Sequence, residues 1–249
     1  MQSTPWLLRQ PDPQRRVRLY CFCYAGGNAR AFAPWQDEVD PAIEICAVQL
    51  PGRGARWHEA PYTSLQALVK DLAPVIARHD DLPFAFFGHS LGGLLAFELA
   101  RWCKLHWLRP PEHLFVSGCD APQHRSPPDA LHLLPDSELV QKLRSYNGTP
   151  PEVLAHQELL ALVLPAVRAD FALCAGYRYR AGLPLTMPIT VLAGRQDTHV
   201  APEQLAGWAK ETLASCRVHW FEGDHFFIHP SRDHVLDLLG KELLTQACA

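Results

Sequence analysis

No uninterrupted apolar run in this 249-residue chain approaches the roughly 18 residues that a membrane-spanning helix requires. The opening stretch, MQSTPWLLRQPDPQRRVRLY, lacks a basic start followed by a long apolar segment and a small-residue cleavage site, so no secretory signal is read in it. There is no basic excess. Lys and Arg number 23 against 26 Asp and Glu, a formal net charge of −3, which argues against a general nucleic-acid binder. No CxxC pair is present, and a structural zinc site is not expected. Internal repeats and low-complexity tracts are absent too. These absences lead to the expectation of a cytoplasmic protein that binds neither nucleic acid nor membrane; a monomer is also expected, although the sequence carries no sign of oligomeric state.

What is present is ordinary globular composition, 48% hydrophobic and 20% charged, enough to bury a sizeable core. The eight cysteines are Cys21, Cys23, Cys46, Cys103, Cys119, Cys174, Cys216 and Cys248. Their even number invites a disulfide framework. In a chain of this length without a signal, and in settings such as YCFCY and EICAV, they read instead as reduced, buried small hydrophobes.

The pattern along the chain alternates. VRLYCFC (17–23), IEICAVQL (43–50), PFAFFG (83–88), HLFVSG (113–118), PITVLAG (188–194) and RVHWFEG (217–223) read as strands. Residues 63–79 have helical spacing, with Leu65, Leu68, Val69, Leu72 and Ile76 on one side. Further helices are expected over 91–105, 202–214 and 231–246. Apolar strands alternating with helices imply a mostly parallel sheet covered on both faces, an α/β fold. The stretch from about 120 to 186 breaks this rhythm. It opens with the proline-rich APQHRSPPDALHLLP and continues with helix-like segments at 136–145, 151–157 and 157–175. It reads as a helical insertion over the C-terminal edge of the sheet, within a single domain spanning 1–249.

FFGHSLGGLLAFELA (86–100) carries the chemistry. Gly88-His89-Ser90-Leu91-Gly92 is G-x-S-x-G between a strand and a helix. Small residues two before and two after Ser90 let neighbouring backbones pass closely, so the turn can hold the hydroxyl at the sheet end beside a helix N-terminus. The alternative is a plain turn capped by a serine. A serine hydroxyl needs a base, and the base an orienting acid, in the chain order Ser, acid, His. VLAGRQDTHV is a strand and a loop holding Asp197; VHWFEGDHFFIHP is a strand and a loop holding His225. His229, His199 and Asp224 are rivals. His225 is preferred because it follows the strand end directly, and Asp197 because an acid adjacent in sequence to the base points poorly at its ring. The oxyanion donors are expected to be the Leu91 N–H and, from the early loop CYAGGN (23–28), the Ala25 N–H, with Tyr24 as the substitute for Ala25.

At this point the chain resembles a type II thioesterase, the stand-alone α/β-hydrolase that serves nonribosomal peptide and polyketide synthases. The resemblance spans nearly the whole length and rests most on PGRG (51–54), LPAVRADF (164–171) and GDHFF (223–227), beside G-x-S-x-G. Two positions depart from the family pattern. Cys23 stands where a proline is usual, and Asp224 where glycine often precedes the base. The resemblance implies an α/β-hydrolase fold and hydrolysis of acyl thioesters on the phosphopantetheine arm of carrier proteins, with Ser90, Asp197 and His225 as triad. It implies no metal or diffusible cofactor. It also implies a lid over an acyl channel, some of whose lining would come from Leu131, Leu133, Leu134, Leu159, Leu160, Leu162 and Phe171. The competing readings are a carboxylesterase or acyl-CoA thioesterase of the same fold, and an idle synthase-docking protein. Arg9, Arg15, Arg16, Arg168, Arg178 and Arg180 could meet an acidic carrier or be solvated surface charge; the second is preferred.

Overall fold

Along VRLYCF (Val17–Phe22) side chains alternate between two apolar layers, Leu19 and Cys21 on one side and Tyr20 and Phe22 on the other. A strand buried on both faces must lie inside a sheet with helices above and below. The computed structural model, which describes residues 4–125, 130–149 and 151–246, shows that arrangement. Strands β1 (Leu7–Arg9), β2 (Val17–Phe22), β3 (Ile43–Val48), β4 (Phe84–His89), β5 (Leu114–Ser117), β6 (Ile189–Gly194) and β7 (Cys216–Phe221) form one sheet in the order β1-β3-β2-β4-β5-β6-β7. Every pairing is parallel except β1 with β3.

Helices α1 (Leu65–Ala77) and α2 (Leu91–Leu105) connect β3 to β4 and β4 to β5 and pack on one face, together with Trp208. Ser64 caps α1, its side chain accepting from the Ala67 N–H at 3.3 Å. The other face is covered by Phe32 and Trp35 from two 3-10 turns and by Val235, Leu236, Leu239 and Leu243 of the last helix, α7 (Arg232–Gln246). Between β5 and β6 lie α3 (Asp136–Tyr146), α4 (Pro151–Ala155) and α5 (Gln157–Gly176), close to the expected spans. Their own small core is Leu131, Leu139, Leu143, Leu164 and Val167. Residues 126–129 and 150 of this insertion, and Cys248, lie outside the described residues.

Three expectations need correction. β1 was not expected: its three residues are too short for a period-2 signal, and it is held by antiparallel pairing of Leu7, Leu8 and Arg9 with Val48, Ala47 and Cys46. The helix expected over 202–214 is only α6 (Pro202–Leu205) followed by a 3-10 turn, Ala206–Lys210. Wholly buried Trp208 donates from its indole to the Cys119 carbonyl at 2.9 Å, drawing that turn onto the β5 loop instead of letting a helix run on. By length and composition α5 could cross a membrane, although Arg168 and Asp170 interrupt its apolar sequence and both are engaged within the fold. The seven described cysteines are all free, as expected.

The ends of the sheet differ in chemistry. At the N-terminal end Arg18, 1% exposed, pairs with Glu44 at 2.6 Å and Asp81 at 3.0 Å and also donates to the His79 carbonyl. Removing Arg18 leaves buried Glu44 with the longer Arg9 contact, at 3.3 Å, and takes the Arg18 contact from Asp81, and breaking a buried pair in this way is costly. Arg18→Met should therefore lower the unfolding free energy by about 3–5 kcal/mol, read from urea denaturation; a change under about 1 kcal/mol would show that the network carries no such weight.

Candidate active site

β4 ends at His89 and α2 begins at Leu91, so the whole reversal falls on Ser90. Ser90 has φ 55° and ψ −115°, a left-handed conformation that non-glycine residues avoid at a cost of about 1–3 kcal/mol. The sequence makes this turn possible by leaving out two Cβ atoms. One at Gly92 would overlap the Phe22 carbonyl, and one at Gly88 would overlap the Gly92 carbonyl. The Ser90 N–H donates to the Ser117 carbonyl at 2.8 Å, tying the turn to the end of β5. Ser90 is half-buried, so its hydroxyl is reachable.

The loop after β6 carries Asp197 and the loop after β7 carries His225. Their side chains meet: His225 Nδ1 lies 2.8 Å from Asp197 Oδ2, with the acid side chain 2% and the imidazole 6% exposed. The other acid oxygen accepts from the His199 N–H at 2.8 Å. A carboxylate facing Nδ1 keeps the proton there and leaves the Nε2 lone pair available as a base. The His225 ring lies over Gly118, just past β5, and 5.0 Å from the ring of His89 at the end of β4. The Ser90 turn thus stands at the end of β4 while the His225 ring, carried by the loop after β7, reaches over the end of the adjacent strand β5.

The rivals are placed elsewhere. Asp224 accepts from the Phe226 N–H at 2.8 Å and from Asn147 at 3.2 Å, so its carboxylate shapes its own turn. His229 reaches the Tyr24 hydroxyl at 3.4 Å. His199 is stacked on Tyr146 of α3, with centroids 4.1 Å apart and planes at 13°, and stands edge-on to His225. Burial holds the His199 and His229 imidazoles below the usual histidine range. It pushes His89, wholly buried with Nδ1 2.9 Å from the Ser117 hydroxyl, well below it.

The segments expected to supply oxyanion donors also meet. Phe22 and Cys23 run against Gly92 in the first turn of α2, and the following residues close a tight turn in which the Gly27 N–H donates to the Tyr24 carbonyl at 2.9 Å. Ala25 lies in that turn and Leu91 opens α2.

Sequence reasoning missed three contributors. The Tyr24 ring, considered only for its backbone, packs 4.8 Å from Phe226 and 5.8 Å from His89, walling the site. Tyr146 and its neighbours bring the insertion onto the base loop. Arg53 and Asp170 form a buried pair beside the Ala25 turn. Of the apolar insertion residues, Leu131 is buried and Leu134, Leu160 and Phe171 partly so, while Leu133, Leu159 and Leu162 are exposed.

A serine held on a strained strand-to-helix turn above a parallel sheet, beside an acid-paired imidazole from a later strand end, is the architecture of the α/β-hydrolases. The chain belongs to the thioesterase family: residues 17–243 match the thioesterase domain, and the protein is a thioester hydrolase. It is 42% identical over 228 residues to the gramicidin S biosynthesis protein GrsT of Aneurinibacillus migulanus, covering 92% of this chain and 89% of that one. It is 40% identical over 242 residues to a Brevibacillus parabrevis protein named linear gramicidin dehydrogenase LgrE, covering 96% and 92%. Among solved structures, the type II thioesterase BorB from the borrelidin biosynthetic cluster superposes with a TM-score of 0.90 at 35% identity, covering 98% and 99%. The dehydrogenase name does not transfer on the residues present. The β2 loop has Gly26 and Gly27 before a three-residue 3-10 turn, where a dinucleotide fingerprint spaces three glycines into a long helix.

Two predictions follow from this geometry. Asp197→Asn should reduce turnover on the order of 10⁴-fold by allowing the wrong imidazole tautomer, measured by steady-state hydrolysis; near-normal turnover would mean the acid is misassigned. Gly92→Ala should destabilise the protein by more than about 4 kcal/mol. Gly240→Ala, in α7 with open space around it, should stabilise by about 0.4–1 kcal/mol. Equal effects of the two changes in denaturant melts would contradict the close approach at the nucleophile turn.

Proposed function

We propose that this thioesterase clears aberrant or stalled acyl groups from the phosphopantetheine arms of carrier proteins in nonribosomal peptide or polyketide assembly. The observation that carries the chemistry is the 2.8 Å contact between Asp197 and His225, beside a serine on a positive-φ turn. Similarity to proteins of peptide-antibiotic and borrelidin biosynthesis supports the substrate class.

In this scheme His225 Nε2 takes the Ser90 proton as Oγ attacks the thioester carbonyl carbon. The Ala25 and Leu91 N–H groups stabilise the resulting oxyanion. Collapse breaks the C–S bond, and the proton on His225 leaves with the thiol. Water, deprotonated by the same nitrogen, then attacks the acyl-enzyme; a second collapse releases the acid and returns the proton to Ser90. Asp197 holds the ring and stabilises its charged form. Atoms and charge balance with one water and no cofactor.

The helical insertion acts as the lid in this reading, with some of its leucines and Phe171 bordering the acyl chain. The enzyme works as a monomer in the cytoplasm, where the free cysteines among the described residues suit a reducing compartment.

The test compares turnover of acyl-carrier protein, acyl-CoA and p-nitrophenyl esters. The carrier-borne thioester should be preferred, Ser90→Ala should abolish hydrolysis while leaving carrier binding largely intact, and a fluorophosphonate should label Ser90. A clear preference for oxyesters or free acyl-CoA would replace this reading with the small-molecule one. Failure to label Ser90 would favour an idle docking protein.

A further inference from the structure

One buried ion pair borders the site and has no place in that reaction scheme. Asp170, on α5, has no solvent exposure. Its Oδ2 accepts from the Gly26 N–H at 2.7 Å and from Arg53 at 2.5 Å, and its Oδ1 accepts from the second terminal nitrogen of Arg53 at 2.7 Å. Arg53, 8% exposed, donates further to the Gly27 carbonyl at 3.2 Å and to the Pro51 carbonyl at 3.3 Å. Three segments distant in sequence are joined here: the turn after β2, the PGRG loop after β3 and the insertion helix.

The bonds fall on particular peptide groups. Asp170 grips the Gly26 N–H and Arg53 the Gly27 C=O. Gly27 in turn donates its N–H to the Tyr24 carbonyl at 2.9 Å. In a planar trans peptide the C=O and N–H point in opposite directions. Fixing the Tyr24 carbonyl inward therefore aims the Ala25 N–H, which shares its peptide plane, outward. Gly26 has φ +77° and a Cβ on it would press on Val167, so the turn is also held tightly against α5. Burying two charges is costly unless the geometry uses them, and here each member of the pair bonds a peptide group of this turn, Asp170 the Gly26 N–H and Arg53 the Gly27 carbonyl, while Arg53 also holds the Pro51 carbonyl.

We propose that Asp170 and Arg53 are positioning residues for the oxyanion hole, locking the Tyr24–Gly27 turn so that the Ala25 N–H meets the oxygen of the acyl group bound to Ser90. The inference rests on the acyl-enzyme mechanism above and adds no step to it. Neither side chain touches substrate, and no bond or proton changes hands at the pair. Its effect is on the transition state, where the oxygen carries charge, more than on substrate binding.

Two variants test this. Asp170→Asn keeps the side-chain shape and one acceptor oxygen. The combination Arg53→Met with Asp170→Leu removes both charges and leaves neither buried alone, the kind of replacement that folds are able to accept. Turnover, KM and affinity for a trifluoromethyl-ketone acyl analogue, which forms an oxyanion adduct on Ser90, are measured with whichever acyl donor the wild type hydrolyses, thioester or oxyester. The double variant should lose on the order of 10²-fold in kcat and Asp170→Asn about tenfold, with analogue affinity falling in parallel and KM within about threefold of wild type.

A folded variant with kcat and analogue affinity within about threefold of wild type would overturn the inference. So would a loss of kcat without a loss of analogue affinity, or a loss confined to KM. Should the double variant fail to fold, Asp170→Asn decides by the same criteria. A wild type that hydrolyses neither kind of donor removes the mechanism itself. A wild type active on either donor, with unaffected variants, removes only the role given to the pair.

Discussion

The main chain of Phe22 and Cys23 crosses the first turn of α2 so closely that position 92 has no room for a Cβ. This contact governs the upper edge of the molecule. It brings the β2 loop beside the N-terminus of α2, where backbone N–H groups are free of helical partners and the local field favours negative charge. It also compresses the strand-to-helix reversal into one residue, which is why Ser90 sits at φ 55° instead of inside a regular turn. Strain of about 1–3 kcal/mol at a non-glycine residue persists only where surrounding packing over-determines it. Here that packing comes from β2, β4, β5 and α2 together.

The insertion is coupled to this edge at two separate points. Through Asp170 of α5 it grips the turn after β2. Through Tyr146, Asn147 and Gly148 it rests on the loops of the acid and base: Tyr146 stacks on His199, Asn147 donates to Asp224, and Gly148 lies against Phe226. A segment added to the sheet for substrate selection alone would need neither contact. In this protein the backbone geometry of the site and the position of the insertion are physically linked, so a change in one is felt by the other.

Much of this was legible in the sequence because burial on both faces writes itself as continuous apolar strands such as PFAFFG, and because the strand-to-helix change around Ser90 is abrupt. Asp197 and His225 could be picked out since each lies in the loop that follows a strand, and the structure brings their side chains into contact. β1 was not legible because three residues, two half-buried and Leu8 exposed, carry no period, and its pairing is decided by the exposed edge of β3. The truncation of α6 depends on the indole of Trp208 finding the Cys119 carbonyl, a contact that local propensity does not encode. The Arg53–Asp170 pair spans 117 positions. Half of its signal was visible: Asp170 falls at three-residue spacing among Leu164, Val167 and Leu173 on the buried side of α5. A carboxylate on an apolar face requires a partner. Which arginine answers it is a matter of tertiary structure.

Acyl transfer to one hydroxyl is the central chemical claim, and mass spectrometry of the protein quenched in acid after milliseconds with an acylated carrier protein tests it most directly. The acyl mass should appear on the peptide containing Ser90 and decay as free acid accumulates. Acyl mass on any other residue, or hydrolysis at full rate with no acylated protein at any time, would contradict it.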